Sequence, residues 1–131
     1  MEKERFDEIV GNIQWKKLCR LTRNVEIGCK ILHRECLDQA EINEFVEEAV
    51  RRFENLMDAM GESLYQVPPR LGYIGDDTLS DGIWAIVAYG SEAYDKVMSR
   101  PAALWSYFRN ATEIMRSEGF CYILNEVSDN E

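Results

Sequence analysis

No apolar run in this 131-residue chain approaches the roughly 18 residues that a membrane-spanning helix requires. The opening residues, MEKERFDEIV, mix charges of both signs and lack the basic start and apolar centre of a signal peptide. Histidine occurs once, at His33, so a histidine-based nucleophile triad would have to use a residue flanked by Arg34 and Glu35. GxxxxGK(S/T), GxSxG and HExxH are all missing. With them go the usual sequence marks of P-loop phosphate binding, of a hydrolase nucleophile and of a helical zinc protease site. There is no internal repeat and no low-complexity tract. No catalytic residue, cofactor or bound metal is expected on this reading.

These absences bound the class. Residues 1–131 are long enough for one domain with a real core, and a cytoplasmic, soluble protein is expected. Without an export signal, Cys19, Cys29, Cys36 and Cys121 read as reduced thiols rather than disulfide partners. The formal net charge is −9. It is spread unevenly: eight Lys/Arg against six Asp/Glu in residues 1–37, but two against eight in residues 38–62. An acidic excess disfavours non-specific contact with nucleic acid and suits a basic protein surface.

What is present is helical periodicity, and it is clearest over residues 38–60. Ile42, Phe45, Val46, Ala49, Val50, Phe53, Leu56, Met57 and Met60 recur at spacings of three and four, which is one stripe of an α-helix. Asp38 is an N-cap type with Glu41 three residues on, and Gly61 stands where a helix stops. The rest of the chain is expected to pack around this central amphipathic helix. Phe6, Ile9, Val10 and Ile13 start a helical stripe that Leu18 and Leu21 do not continue, so a bend is predicted between Ile13 and Arg23. A further helix is predicted over Val25–Leu37, weakened by Gly28.

Residues 61–82 read as a long loop, with Pro68-Pro69, Gly72, Gly75 and Asp76-Asp77 as turn chemistry. Leu64, Tyr65, Leu71, Tyr73 and Ile74 are available to pin it. The run 83–89 suits either strand or helix, and length favours a helix capped by Ser80 whose face extends from Ile83 to Met98. Leu104 to Met115 predicts another amphipathic helix. Phe120–Val127 predicts a short β element or a packed tail, and residues 128–131 a frayed end. The fold class is mainly α, with about five helices.

Three constellations carry chemistry. Cys29, His33 and Cys36 share a helix face and are zinc-ligand types, but no fourth ligand is placed and buried cysteine is a common apolar filler. Glu41, Glu44 and Glu47 have a spacing that Mg²⁺-binding helices use, although a solvated face is the simpler account of it. Trp15, Lys16, Lys17, Arg20, Arg23, Lys30 and Arg34 form a basic edge. It suits base stacking or, more simply, pairing with the acidic helix of the same fold. Ten of the fourteen aromatic residues lie after Glu62. Tyr65, Tyr73, Tyr89 and Tyr107 fall off the main stripes and are spare for binding.

The expected function is therefore that of a small acidic protein that binds and occludes or regulates a partner protein bearing a basic patch. Inhibitors, immunity proteins and anti-defence factors act in this way. The expected contact residues are Glu44, Glu47, Glu48, Glu54, Asp58, Tyr65 and Tyr73. A metal-dependent helical enzyme acting on a nucleotide phosphate and a homodimeric helical scaffold are the alternatives.

Overall fold

Residues 1–128 are described by the computed structural model. In chain order the helices are α1 (Lys3–Ile13), α2 (Trp15–Leu18), α3 (Asn24–Glu35), α4 (Gln39–Met60), α5 (Asp76–Tyr89), α6 (Ser91–Ser99), α7 (Ala111–Met115) and α8 (Gly119–Val127). Short 3-10 turns occupy 61–65, 69–71, 101–107 and 116–118. Among the described residues there is no strand, and the fold is mainly α.

The first half follows its periodicity closely. The Asp38 side chain accepts a hydrogen bond from the Glu41 N–H at 2.9 Å, which satisfies one of the orphan donors that open α4. The Glu41 carboxylate accepts from the Leu37 N–H at 2.8 Å, one residue before the cap. The predicted bend falls at Gln14, whose φ of 51° is the left-handed conformation. A non-glycine residue pays about 1–2 kcal/mol there. In return, Phe6, Ile9 and Ile13 of α1 and Trp15 of α2 all reach the core.

The second half departs from it. α5 starts at Asp76, with Gly75 rather than Ser80 at its N-cap, so the connection shortens to residues 61–75. Asp76 and Asp77 lie in the first turn, where the helix dipole favours acids. Leu64, Leu71 and Ile74 pin this segment, whereas Tyr65 and Tyr73 do not. The Arg70 guanidinium adds hydrogen bonds to the carbonyls of Trp105 (2.6 Å) and Phe108 (2.9 Å). Ile83, Ala85, Ile86, Val87 and Ala88 are all buried, so the second half of α5 is covered on most sides, while Asp77, Ser80, Asp81 and Trp84 border an open pocket. Burial of five of the six residues 83–88 leaves little of a stripe there, which is why that run also resembles a strand.

The expected face from Ile83 to Met98 is interrupted at Gly90, whose φ is 104°. There the Asp7 carboxylate accepts from the Ser91 N–H at 2.9 Å and opens α6 from α1. The expected helix over 104–115 is likewise split: 101–107 is a 3-10 turn, Phe108 is extended, and Asn110 caps α7. The β element expected at 120–127 is helix α8. Phe120, Ile123, Leu124 and Val127 form its buried stripe, mainly against α3. Gly28 permits that approach, since a Cβ there would lie 2.3 Å from Ile123 Cδ1. The end expected to fray at 128–131 lies, apart from Ser128, outside the described residues.

One polar node sits inside the fold. Arg52 of α4, 4% exposed, donates to Glu48 (2.8 Å) and to the Ser91 hydroxyl (2.9 Å). Its guanidinium carbon lies 4.0 Å from the centroid of the Phe6 ring and 5.0 Å from that of Tyr94. The node ties α1, α4 and α6 together.

Candidate functional site

α4 presents a continuous acidic stripe. Positions 44, 47, 51, 54 and 58 follow one another at three and four residues and so share one side of the helix. Glu44, Glu47, Glu54 and Asp58 are exposed, and among the described residues no ion pair reaches them. Arg51 stands in the stripe, but its guanidinium is turned onto Glu48. Glu48, expected on the outer face, is 9% exposed. Burial alone would push its carboxyl up, and the bonds from Arg51 and Arg52 more than offset that and hold it below the usual range. It belongs to the core and leaves the set of contact residues. Tyr65 and Tyr73 are exposed in the 61–75 segment, Tyr73 at 92%.

The basic edge does not neutralise this stripe, contrary to the simpler expectation. Arg23 and Lys30 pair with Glu26, and Arg34 with Glu35, all within or beside α3. The N-terminal cation that reaches α4 is Arg5, which donates to both Glu41 oxygens at 2.9 and 3.0 Å. Those bonds, with the Leu37 N–H, lower the Glu41 carboxyl to about 2. Glu41 is thereby committed to the fold, and the Glu41–Glu44–Glu47 spacing loses its first member as a metal ligand. Cys29 is half-buried, His33 exposed and Cys36 buried. Among the described residues no group of three or more His, Cys, Asp and Glu side chains is placed to hold a metal ion.

The rest of the basic edge has a different destination. Lys16 of α2 and Arg20 just after it line, with Arg109 and Arg116, a cleft of about 440 Å³. Tyr89 and Tyr107 also line it, with ring centroids 6.0 Å apart. The Lys16 ammonium lies 4.9 Å from the Tyr89 ring centroid. The carboxylate in the cleft, Glu113, accepts from the Arg109 backbone N–H (2.8 Å) and its Nε (2.6 Å), which hold its carboxyl below the usual range. Lys16, Arg20 and Arg116 make no ion pair among the described residues. Burial raises the Cys19 thiol against the pull of Arg20, and raises the Tyr89 hydroxyl to about 12. Both stay protonated near neutral pH, so the cleft offers donors and positive charge but no activated nucleophile.

The sequence signalled part of this cleft: the run around Lys16 and Arg20, and the surplus tyrosines 89 and 107. Arg109, Arg116 and Glu113 gave no separate signal, because they meet the others only through the packing of the 101–118 segment beside α5. Among the described residues no helix is long and apolar enough to cross a membrane. Comparison of the chain with protein-family models, with curated proteins and with solved structures returned no match.

Proposed function

We propose that this chain is a small acidic cytoplasmic protein that docks on a basic patch of a partner protein and so occludes or regulates it, as an inhibitor, immunity or anti-defence factor does. The contact surface is the outer stripe of α4, Glu44, Glu47, Glu54 and Asp58, with Tyr65 and Tyr73 extending it beyond the helix. One observation carries this reading: Glu41 and Glu48, the acids of α4 that serve the fold, are paired, and among the described residues the four on the stripe are not. Like charges at these spacings cost helix stability. A basic partner surface reverses the sign of that cost, and the stripe runs about 21 Å along a rigid helix. A homodimer through the same stripe is disfavoured, because a two-fold axis would set acid against acid.

The test is a triple charge swap, Glu44→Lys, Glu47→Lys and Glu54→Lys, with circular dichroism to confirm the fold. The partner captured from the native host by the unaltered chain is then presented to both forms. Fast association that weakens with salt, and is lost in the swapped protein, is the expected result. An unchanged association rate across salt concentrations would sink the proposal.

A further inference from the structure

The cationic cleft is separate from the acidic stripe and is not absorbed by partner docking. We propose that it binds a nucleoside phosphate, with the phosphate at Lys16, Arg20 and Arg116 and the base or sugar against Tyr89 and Tyr107. A chain of net −9 gathers four cations on one cleft, and three of them have no carboxylate partner among the described residues. One carboxylate, Glu113, shares the cleft and is bonded to Arg109, so the cations outnumber it, and an anionic ligand relieves the remaining repulsion. Arg20 and Arg116 are exposed, so their guanidinium groups are open to a ligand without any rearrangement of the core.

Shape narrows the ligand. A second groove of about 420 Å³ continues from the cleft and shares Lys16, Tyr89 and Tyr107 with it. Val10, Trp15 and Ala93 give this groove apolar walls. The Trp15 indole N–H is also the one buried side-chain donor left without an acceptor among the described residues. A cationic end and an apolar end therefore meet at two tyrosine rings, each within the usual size of a small-molecule site. A molecule with a phosphate at one end and a planar ring at the other matches that order. Ring stacking on tyrosine and phosphate capture by arginine are the corresponding contacts. A nucleic-acid polymer fits less well, since a chain of net charge −9 repels a long phosphate backbone beyond the cleft.

The experiment is calorimetric titration of the whole chain with adenosine and guanosine mono-, di- and triphosphates, the parent nucleosides, and inorganic pyrophosphate, with and without Mg²⁺. Saturable nucleotide binding that tightens with phosphate number is expected, with nucleosides silent. Arg20→Ala combined with Arg116→Ala should weaken binding at least tenfold while circular dichroism stays unchanged. Tyr107→Leu should weaken nucleotides and leave pyrophosphate as it was. Three outcomes overturn the inference: no nucleotide binding at millimolar concentration, pyrophosphate binding as tightly as nucleotides, or binding indifferent to the Arg20 and Arg116 changes. The charge-swapped α4 variant should bind nucleotide normally, so this proposal and partner docking fail independently.

Discussion

On the inner side of α4, Arg52 lies between the Phe6 and Tyr94 rings with Glu48 and the Ser91 hydroxyl as partners. On its outer side, Glu44, Glu47, Glu54 and Asp58 face solvent without a cation among the described residues. The same residue types thus do opposite work within a few ångströms. Inside, charge is desolvated and must be matched, so removing one partner strands the other. Outside, water solvates each carboxylate, so the acids are nearly neutral for folding and remain available for recognition.

The largest expected effect breaks the inner arrangement. Arg52→Ala should cost about 3 kcal/mol in urea unfolding, because it leaves the buried Glu48 carboxylate to Arg51, takes the donor from the Ser91 hydroxyl and empties the space against the Phe6 and Tyr94 rings. Phe53→Ala should cost about 2 kcal/mol: Phe53 stacks on Trp84 at 4.1 Å but is only half-buried, so it falls below the range for a fully buried ring. It is a side support of the α4–α5 contact rather than the centre of the core, as its place in the stripe suggested.

A pH series sharpens the comparison. The Glu41 carboxyl is lowered from 4.5 to about 2, so its contribution is fully present above the unfolded value and is lost as pH falls through the folded one. Glu41→Gln should flatten the acid limb of stability between those values. Asp81 of α5 has the opposite sign. Burial, with the charges of Glu118 and Asp77, raises its carboxyl from 3.8 to about 7. Stability should fall as pH rises between those values, and Asp81→Asn should raise the melting temperature at pH 8 but not at pH 3. The smallest effect belongs to the outer stripe. Glu44→Ala and Glu54→Ala should each change stability by less than about 0.5 kcal/mol, and a larger loss would show that the stripe serves the fold.

How much of this was legible depends on how local the cause is. The cap at Asp38, the stripe of α4 and the bend near Gln14 are written in neighbouring residues, and they were readable. The breaks at Gly90 and at 108–110 depend on partners far away, Asp7 of α1 and the Arg70 guanidinium. Glu48 looked like any other acid of the outer face, because its burial is decided by Arg52 and by α6 packing behind it. The tail 120–127 resembled a strand because Cys121, Tyr122 and Ile123 are strand-forming types, yet its buried positions repeat every three or four residues. The cleft draws on residues 16–20, 89 and 107–116, and no window of sequence contains it.

The α3–α8 contact has a consequence for how the chain acquires its shape. Gly28 receives Ile123, and Asn24 lies where a Cβ on Gly119 would point, so a close fit joins segments made far apart in time. During synthesis α3 leaves the ribosome before α8, the element that covers one of its faces in the finished fold. Contacts of such long sequence separation are slow to form, since a large loop must close before they repay its entropy. The nascent protein therefore passes through a stage with an uncovered apolar face beside α3, the stage at which a chaperone would hold it and at which aggregation competes with folding.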